Sequence, residues 1–412
     1  MSGARVSNGR AVAAGSRNAG RLLALLLATL FGLAPAPRHV WGQQGATSEH
    51  SGPGAAPSRG IPGTSVEFSQ RVKEIKEHIQ GFARTSVVPG ISVAVQVGDE
   101  FTWFEGFGVS DLASGRPTTP HTRFRIGSVS KALTAAALGL LLEEGKLDLD
   151  ADVRKYVPEF PPKGDPITLR HLAGHQSGIR HYRGNEVLNQ RPYKSVLEAL
   201  TIFAKDPLVA KPGTTHSYSS YGYTLLSAAM ERGAGVPFLT LMREKVLRPL
   251  QMTETEPEVG GRRLPDQATG YEQGTNGKAQ VTPRTDLSPV WAGGGFVSTT
   301  GDLLKFARAH LDGRFFRPET LDLLWTAQTA KDGTKRPPSA FGWQVGRTPK
   351  GRRLLVSGGN SIGGTVVMFV VPEEKVILVF MTNMGSAPIR GVPMGALQIL
   401  LGEDRPPAME MM

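Results

Sequence analysis

The chain has 412 residues, of which 40% are hydrophobic and 20% charged, so it can bury the core of one large domain or of two joined ones. It lacks cysteine, which excludes a disulfide framework, a thiolate metal site and a thiol nucleophile. Five of the 11 net positive charges lie in residues 1–42; the remaining surface is only mildly basic, and we expect no nucleic-acid partner.

Residues 1–42 are predicted to form a signal peptide or a signal anchor. A basic, acid-free region precedes the apolar run LLALLLATLFGLAPA, which is short for a membrane-spanning helix. Two cleavage sites fit, one at Ala34-Pro35-Ala36 and one within VWGQ at 40–43. Export to the periplasm or the medium is the simplest interpretation, and the alternatives are an uncleaved anchor that associates with a membrane and a mitochondrial transit peptide.

The residues that flank the folded part have a different composition. Residues 43–64 are rich in Gly, Pro and Ser and show no apolar period, so we expect a disordered linker there. The folded domain is predicted to cover residues 65–402, followed by a tail at 403–412.

The folded part is predicted to begin with a helix and a hairpin. Apolar residues recur at helical spacing from Phe68 to Phe82. Two β-rich runs follow at 91–97 and 101–109, and the short GDE link between them is typical of a hairpin turn.

The remaining elements are predicted from the same patterns. We expect helices at 128–145, 221–250 and 391–402, strands at 352–357, 364–371 and 375–382, and irregular chain at 157–166, 206–217 and 255–290. Because strand signals lie at both ends of a mostly helical middle, the sequence predicts an α+β fold. One sheet is built from both chain ends, a helical region at about 128–340 is inserted, and a cleft lies between them.

The stretch GSVSKALTAAAL carries the first chemical signal. Ser128 and Lys131 are three positions apart at a helix start, so their side chains share one face. The apolar residues that follow predict burial, which makes the lysine easier to deprotonate and able to act as a base. The alternative is that Ser128 caps the helix and Lys131 is solvated.

Several segments in order resemble the serine β-lactamase and penicillin-binding-protein superfamily in its class C form. They are HTRFRIGSVSKALTAAAL, ITLRHLAGHQSGIRHY, YSSYGYTLLSAAME, WAGGGFVSTTGDLLKFARAHL, FGWQV and SGGNSIGGTVVMFVVPEE. The resemblance spans about residues 66–400, and it is closest to the branch that contains the mitochondrial β-lactamase-like serine protease. It implies a β-lactamase/transpeptidase-like fold, with an antiparallel sheet flanked by helices.

The resemblance implies roles for three residues. Ser128 matches the acylated nucleophile, Lys131 its partner, and Tyr218 the phenolic base. We expect the ammonium to stabilise the phenolate of Tyr218, although without the resemblance a buried core tyrosine is the alternative. Ser220 stands where relatives have Asn, so we expect a weaker or water-bridged substrate contact there.

The third matched motif departs from the family pattern. Ser357, Gly358 and Gly359 occupy the positions of Lys-Thr-Gly or His-x-Gly, so the usual cation is missing. We expect Ser357 to bond a substrate carboxylate without charge, and the backbone N–H groups of Asn360 and Ser128 to form the oxyanion site. The missing cation predicts weak β-lactamase activity at most.

Three other patterns are interpreted as structural. His171 and His175 are four residues apart but lack the Glu of a metalloprotease helix, so we expect no metal site. The AGGGF at 292–296 is expected to be a tight loop at the cleft, and the acidic run after Gly145 a solvated turn. No cofactor is expected.

Together these observations predict a serine hydrolase that acts through a covalent acyl-serine intermediate. Its substrate is expected to be a peptide, a D-amino-acid peptide, an ester or another small molecule. The alternative is a binding or scaffold protein of the same fold with a weak or inactive site. The sequence leaves the oligomeric state open.

Overall fold

The β-forming runs at the two ends of the chain pair in one antiparallel sheet. The computed structural model describes residues 65–330, 339–389 and 391–403. The strand order of the main sheet is β3-β2-β1-β12-β11-β10-β9. Its strands are β1 (Gly90–Val97), β2 (Phe101–Asp111), β3 (Arg116–Pro117), β9 (Gln344–Arg347), β10 (Arg353–Ser361), β11 (Gly364–Val371) and β12 (Val376–Thr382).

The other strands are short, and all except the one at residues 124–125 lie in the inserted region. One small sheet has the order β4-β8-β5 and another pairs β6 with β7. These strands are β4 (Phe124–Arg125), β5 (Glu256–Pro257), β6 (Tyr271–Gln273), β7 (Ala279–Val281) and β8 (Phe296–Ser298). The predicted irregular segment at 255–290 therefore contains three short strands that the sequence analysis missed, as it also missed β9.

Helices form most of the remaining regular structure. They are α1 (Ser65–Thr85), α2 (Ser130–Glu143), α3 (Leu169–Ala173), α4 (Val196–Ala199), α5 (Ser220–Ala234), α6 (Phe238–Met242), α7 (Trp291–Gly294), α8 (Thr300–Leu311), α9 (Pro318–Trp325) and α10 (Val392–Leu401). Within the part of the chain that the structure describes, no helix combines the length and the apolar character that crossing a membrane requires.

The central strands β1, β11 and β12 are buried on both faces of the sheet. On β12, Ile377, Val379 and Met381 belong to the main core, whereas Leu378 and Phe380 are buried on the opposite face because side chains alternate along a strand. Helix α8 packs on β1 and β12, while α1 and α10 pack against each other and contact β2 and β12. The α+β architecture with an antiparallel sheet flanked by helices is confirmed.

The predicted helix at 221–250 is interrupted. Helix α5 ends at Ala234, where Gly235 takes a left-handed conformation with φ of 72°. Pro237 then precedes α6, and a π-helical turn at Arg243–Leu247 follows it. The prediction of a single helix over this range was wrong, because Gly235 reverses the direction of the backbone. The predicted leader, the whole of the predicted linker and residues 404–412 of the predicted tail lie outside the described residues.

Two glycines bring β10 against the turn that carries Ser128. A Cβ on Gly359 would lie 2.0 Å from the carbonyl oxygen of Ile126, and one on Gly127 would lie 2.7 Å from the carbonyl oxygen of Asn360. Gly127 also has a positive φ of 48°. The backbones of these two segments approach so closely that a side chain at either position has no room.

We predict that Gly359→Ala destabilises the fold by about 3 kcal/mol, because the new methyl group overlaps backbone that cannot move away without displacing β10. Gly115→Ala is the control, since its φ of 68° is strained but nothing lies within 4 Å, and about 1 kcal/mol is expected there. Denaturant unfolding followed by circular dichroism measures both, and equal losses would contradict this account of the contact.

Candidate active site

Ser128 and Lys131 lie on either side of a helix start. Ser128 lies in the 3-10 turn Gly127–Val129. Lys131 lies in the first turn of α2, which follows directly. Lys131 Nζ is 3.2 Å from Ser128 Oγ, so the predicted pairing of the two side chains is present. Ser128 is half-buried and reachable, whereas Lys131 is only 2% exposed.

Tyr218 comes from a distant part of the chain, immediately before α5. Its hydroxyl oxygen lies 2.5 Å from Ser128 Oγ, although the two residues are 90 positions apart. Lys131 Nζ also lies over the Tyr218 ring, 4.7 Å from its centroid. The structure therefore gathers a hydroxyl, an amine and a phenol around one oxygen atom.

The amine of Lys131 has three oxygen neighbours. Besides Ser128 Oγ, it donates to the Gly293 carbonyl at 2.6 Å and to Ser220 Oγ at 3.1 Å. Burial lowers the pKa of Lys131 to about 7, since removing the ammonium from water disfavours its charged form. A neutral amine can keep the two other bonds and accept the proton of Ser128 through its lone pair.

Tyr218 does not behave as the sequence analysis expected. Burial raises the pKa of Tyr218 to about 12, and its bonds with Ser128 and Ser220 offset only part of that effect. The expectation of a stabilised phenolate was therefore wrong, because burial disfavours the phenolate more than its neighbours favour it. The raised pKa keeps Tyr218 a phenol at neutral pH, able to donate a hydrogen bond to Ser128, whereas the lowered pKa of Lys131 favours a neutral amine.

Two serines predicted to contact substrate have hydroxyl groups that are bonded within the protein. Ser220 is buried; its hydroxyl accepts from Lys131, and its N–H donates to His181 Nδ1 at 3.2 Å. Ser357 is also buried, and its hydroxyl donates to the Gly342 carbonyl at 3.1 Å. The predicted bonds of Ser220 and Ser357 to substrate are not supported, because both hydroxyls are engaged inside the protein.

Gly358, Gly359 and Asn360 lie at the end of β10, beside the Ser128 turn. A Cβ on Gly359 would be 3.0 Å from the Ser128 nitrogen, so the backbones of the two predicted oxyanion donors are close neighbours. The Asn360 side chain is held away by Ser386, which donates its N–H to Oδ1 at 2.8 Å. The backbone N–H of Asn360 is then the group of this residue that is predicted to donate to an oxyanion.

His175 and His181 form a support that the sequence analysis missed. His175 Nδ1 accepts the N–H of Ser219 at 3.2 Å, its carbonyl accepts the N–H of Ser217 at 2.7 Å, and its ring lies 4.4 Å from that of Tyr218. Burial lowers the pKa of His175, which keeps Nδ1 free of a proton and able to accept. The two residues on either side of Tyr218 are thus fixed by His175, Ser219 through its imidazole and Ser217 through its backbone carbonyl.

His171 and His175, whose spacing was compared with that of metal ligands, have different structural roles. His171 completes a capping box at the start of α3 with Thr168, whereas His175 supports Tyr218. The segment HLAGHQSGIRHY, matched in sequence, contains His175 and His181. The match of this segment to the family was the sequence signal that could have pointed to these two histidines. Their spacing alone does not show which backbone groups the rings contact.

A cleft opens beside the turn that carries the nucleophile. Its walls include Tyr182, Glu186, Asp286, Gly294 and Asn360. A Cβ on Gly294 would be 3.7 Å from the carbonyl carbon of Gly127, the residue before Ser128. The cleft therefore adjoins the turn that carries the reactive group.

Comparison with known proteins agrees with this geometry. Residues 75–395 match the family model described as Beta-lactamase, and the chain belongs to that family. The predicted membership of the β-lactamase and penicillin-binding-protein superfamily is confirmed.

Three similar proteins show the range of the family. The chain is 31% identical over 412 residues to the Serine beta-lactamase-like protein LACTB, mitochondrial, of Homo sapiens, covering 77% of this chain and 75% of that protein. It is 29% identical over 309 residues to a D-aminopeptidase of Gluconobacter oxydans, covering 73% and 56%. The octameric penicillin-binding protein homologue from Pyrococcus abyssi aligns with a TM-score of 0.71 at 28% identity, covering 81% of this chain and 78% of that one.

We predict that the rate at which a fluorophosphonate labels Ser128 rises through an apparent pKa of about 7. Below that pH protonated Lys131 cannot accept the serine proton, so the rate should fall about tenfold per pH unit. Lys131→Met should slow labelling by a factor of about 10³ at pH 8, whereas the exposed Lys155→Met should not change it. A rate in the wild type that is flat from pH 5 to 8 would contradict the assignment of the base.

We predict that His175→Phe slows labelling at least about tenfold, because it keeps a ring but leaves the buried Ser219 N–H without its acceptor. His175→Asn should recover part of the rate, since its side-chain oxygen can accept and Asn tolerates the left-handed backbone at this position, where φ is 58°. His121→Phe, at a ring that is 76% exposed, is the control. Equal rates for the two His175 variants would show that the acceptor is unimportant.

Proposed function

We propose that the chain is a serine hydrolase that forms an acyl ester on Ser128. The observation that carries this proposal is the placement of Ser128 Oγ 2.5 Å from the Tyr218 hydroxyl and 3.2 Å from a buried amine. The pKa of about 7 for Lys131 supports a base that is substantially neutral at physiological pH.

In the acylation step, Lys131 Nζ takes the proton of Ser128 as Oγ bonds to the substrate carbonyl carbon. Tyr218 donates a hydrogen bond to Oγ while charge develops there. The carbonyl oxygen becomes an oxyanion, and the backbone N–H groups of Ser128 and Asn360 are its proposed donors. The bond to the leaving group then breaks, and the leaving group takes the proton that Lys131 holds.

In the deacylation step the same groups act on water. Lys131 accepts a proton from water, whose oxygen bonds to the ester carbon and forms a second oxyanion. The bond from carbon to Ser128 Oγ breaks, and Lys131 returns the proton to Oγ. Ser220 and the Gly293 carbonyl hold the amine in place throughout, because they bond the two positions of Nζ that do not face Ser128.

The substrate class is proposed to be peptides, D-amino-acid peptides or esters. A relative named D-aminopeptidase supports this range. Ser357 is buried and bonded to Gly342, so the cleft has neither charge nor a free hydroxyl at the position where relatives have their cation. We therefore propose weak β-lactamase activity at most, since the carboxylate of penicillins would lack its partner.

We propose that the chain is exported from the cytoplasm. The predicted leader at 1–42 favours export, and the mitochondrial relative supports the stated alternative of an organelle. We propose no nucleic-acid partner and no cofactor.

We predict that wild-type protein is labelled by a fluorophosphonate and hydrolyses members of a panel of esters, D-alanyl peptides and L-peptides, while nitrocefin turns over slowly or not at all. Ser128→Ala should abolish labelling, and Tyr218→Phe should reduce it by a factor of about 10² or more through loss of the hydrogen bond to Oγ. Ser130→Ala, at the neighbouring buried serine, controls for local packing.

Absence of labelling in correctly folded wild type would contradict the enzyme and favour the scaffold alternative. Efficient hydrolysis of nitrocefin would contradict the proposed consequence of Ser357.

A further inference from the structure

The cleft beside Ser128 is bordered by a carboxylate, that of Asp286, which forms no ion pair within the described part of the chain. Two carboxylates border it, those of Glu186 and Asp286. Arg180 holds Glu186 with two bonds, at 2.7 and 2.9 Å, so that charge is neutralised. Asp286 has no ion-pair partner among the residues that the structure describes.

Asp286 is held rigidly by its own loop. Its Oδ1 accepts the N–H of Ser288 at 2.9 Å, and its backbone N–H donates to the Asn189 carbonyl at 2.7 Å. The residue is only 7% exposed, yet it lines the cleft, and its Oδ2 has no hydrogen-bond partner in the described part of the chain. A carboxylate oxygen without a protein partner at the wall of a cleft is suited to a positively charged ligand.

Among the described residues, those that line the cleft include no lysine or arginine. Arg125, whose Nη1 donates to the Ile362 carbonyl at the cleft wall, is bonded to Glu258 through Nε at 2.8 Å. Lys131 is turned toward Ser128 and Gly293, and Ser357 replaces the cation of related sites. The field in this cleft therefore favours cations over anions.

We propose that Asp286 binds the ammonium group of the substrate, so that the preferred substrates are amides or esters carrying a protonated primary amine. This inference rests on the proposed acyl-serine chemistry and adds the charge of the molecule that enters the cleft. Asp286 lies in the wall of the same cleft as Asn360, whose backbone is a proposed oxyanion donor. A charge-assisted bond to the free Oδ2 then fixes the orientation of the substrate.

The test measures how well small amides protect Ser128 from fluorophosphonate labelling at pH 7. D- and L-alaninamide carry the ammonium, and N-acetylalaninamide is the neutral counterpart. In the wild type we expect at least one alaninamide to protect at a concentration about tenfold lower than its N-acetyl counterpart. Asp286→Asn keeps an oxygen that can accept from Ser288 but removes the charge, so it should abolish this preference when protection is measured against the variant's own labelling rate without amide.

Asp322→Asn, at an exposed acid on α9, controls for a general change of charge. Equal protection by the charged and neutral amides in labelled wild type, or a preference that survives in Asp286→Asn, would overturn the inference alone. A folded wild type that is not labelled would contradict the proposed function itself, and the inference with it.

Discussion

The burial of one amine is the constraint on which the site depends. Lys131 is enclosed by α2, the ring of Tyr218 and the Gly293 carbonyl, and moving its pKa from 10.5 to about 7 corresponds to a free energy on the order of 5 kcal/mol. The apolar residues of α2 make this burial possible because they fix the helix inside the core, with Leu133 and Ala136 fully enclosed. Fold and reactivity are thus linked: the packing that stabilises the helix also removes water from the amine.

The parts of the site that depend on local spacing could be predicted from the sequence. The pairing of Ser128 with Lys131 follows from a separation of three residues, and the terminal strands follow from their β-branched composition. The arrival of Tyr218 beside Ser128 was implied only by the family resemblance, because 90 residues separate the two. The interruption after Ala234 was missed although Gly235 and Pro237 are visible in the sequence.

The electrostatic details could not be predicted because they depend on burial and on partners from distant segments. Proximity to an ammonium suggests a lowered pKa for Tyr218, but desolvation outweighs it and the pKa rises to about 12. The engagement of Ser357 by Gly342 and of Ser219 by His175 likewise depends on which backbone groups face each side chain. The proposed division of roles, a neutral amine as base and a phenol as hydrogen-bond donor, therefore depends on the three-dimensional structure and not on the sequence pattern.

The most direct test of this account is an NMR titration of the Lys131 side chain in the folded protein, using labelled lysine and the Lys131→Met variant to assign its signal. The account predicts that this amine titrates near pH 7, about three units below an ordinary lysine. A Lys131 amine that stays protonated up to pH 10 would contradict it, because Ser128 would then have no base at neutral pH.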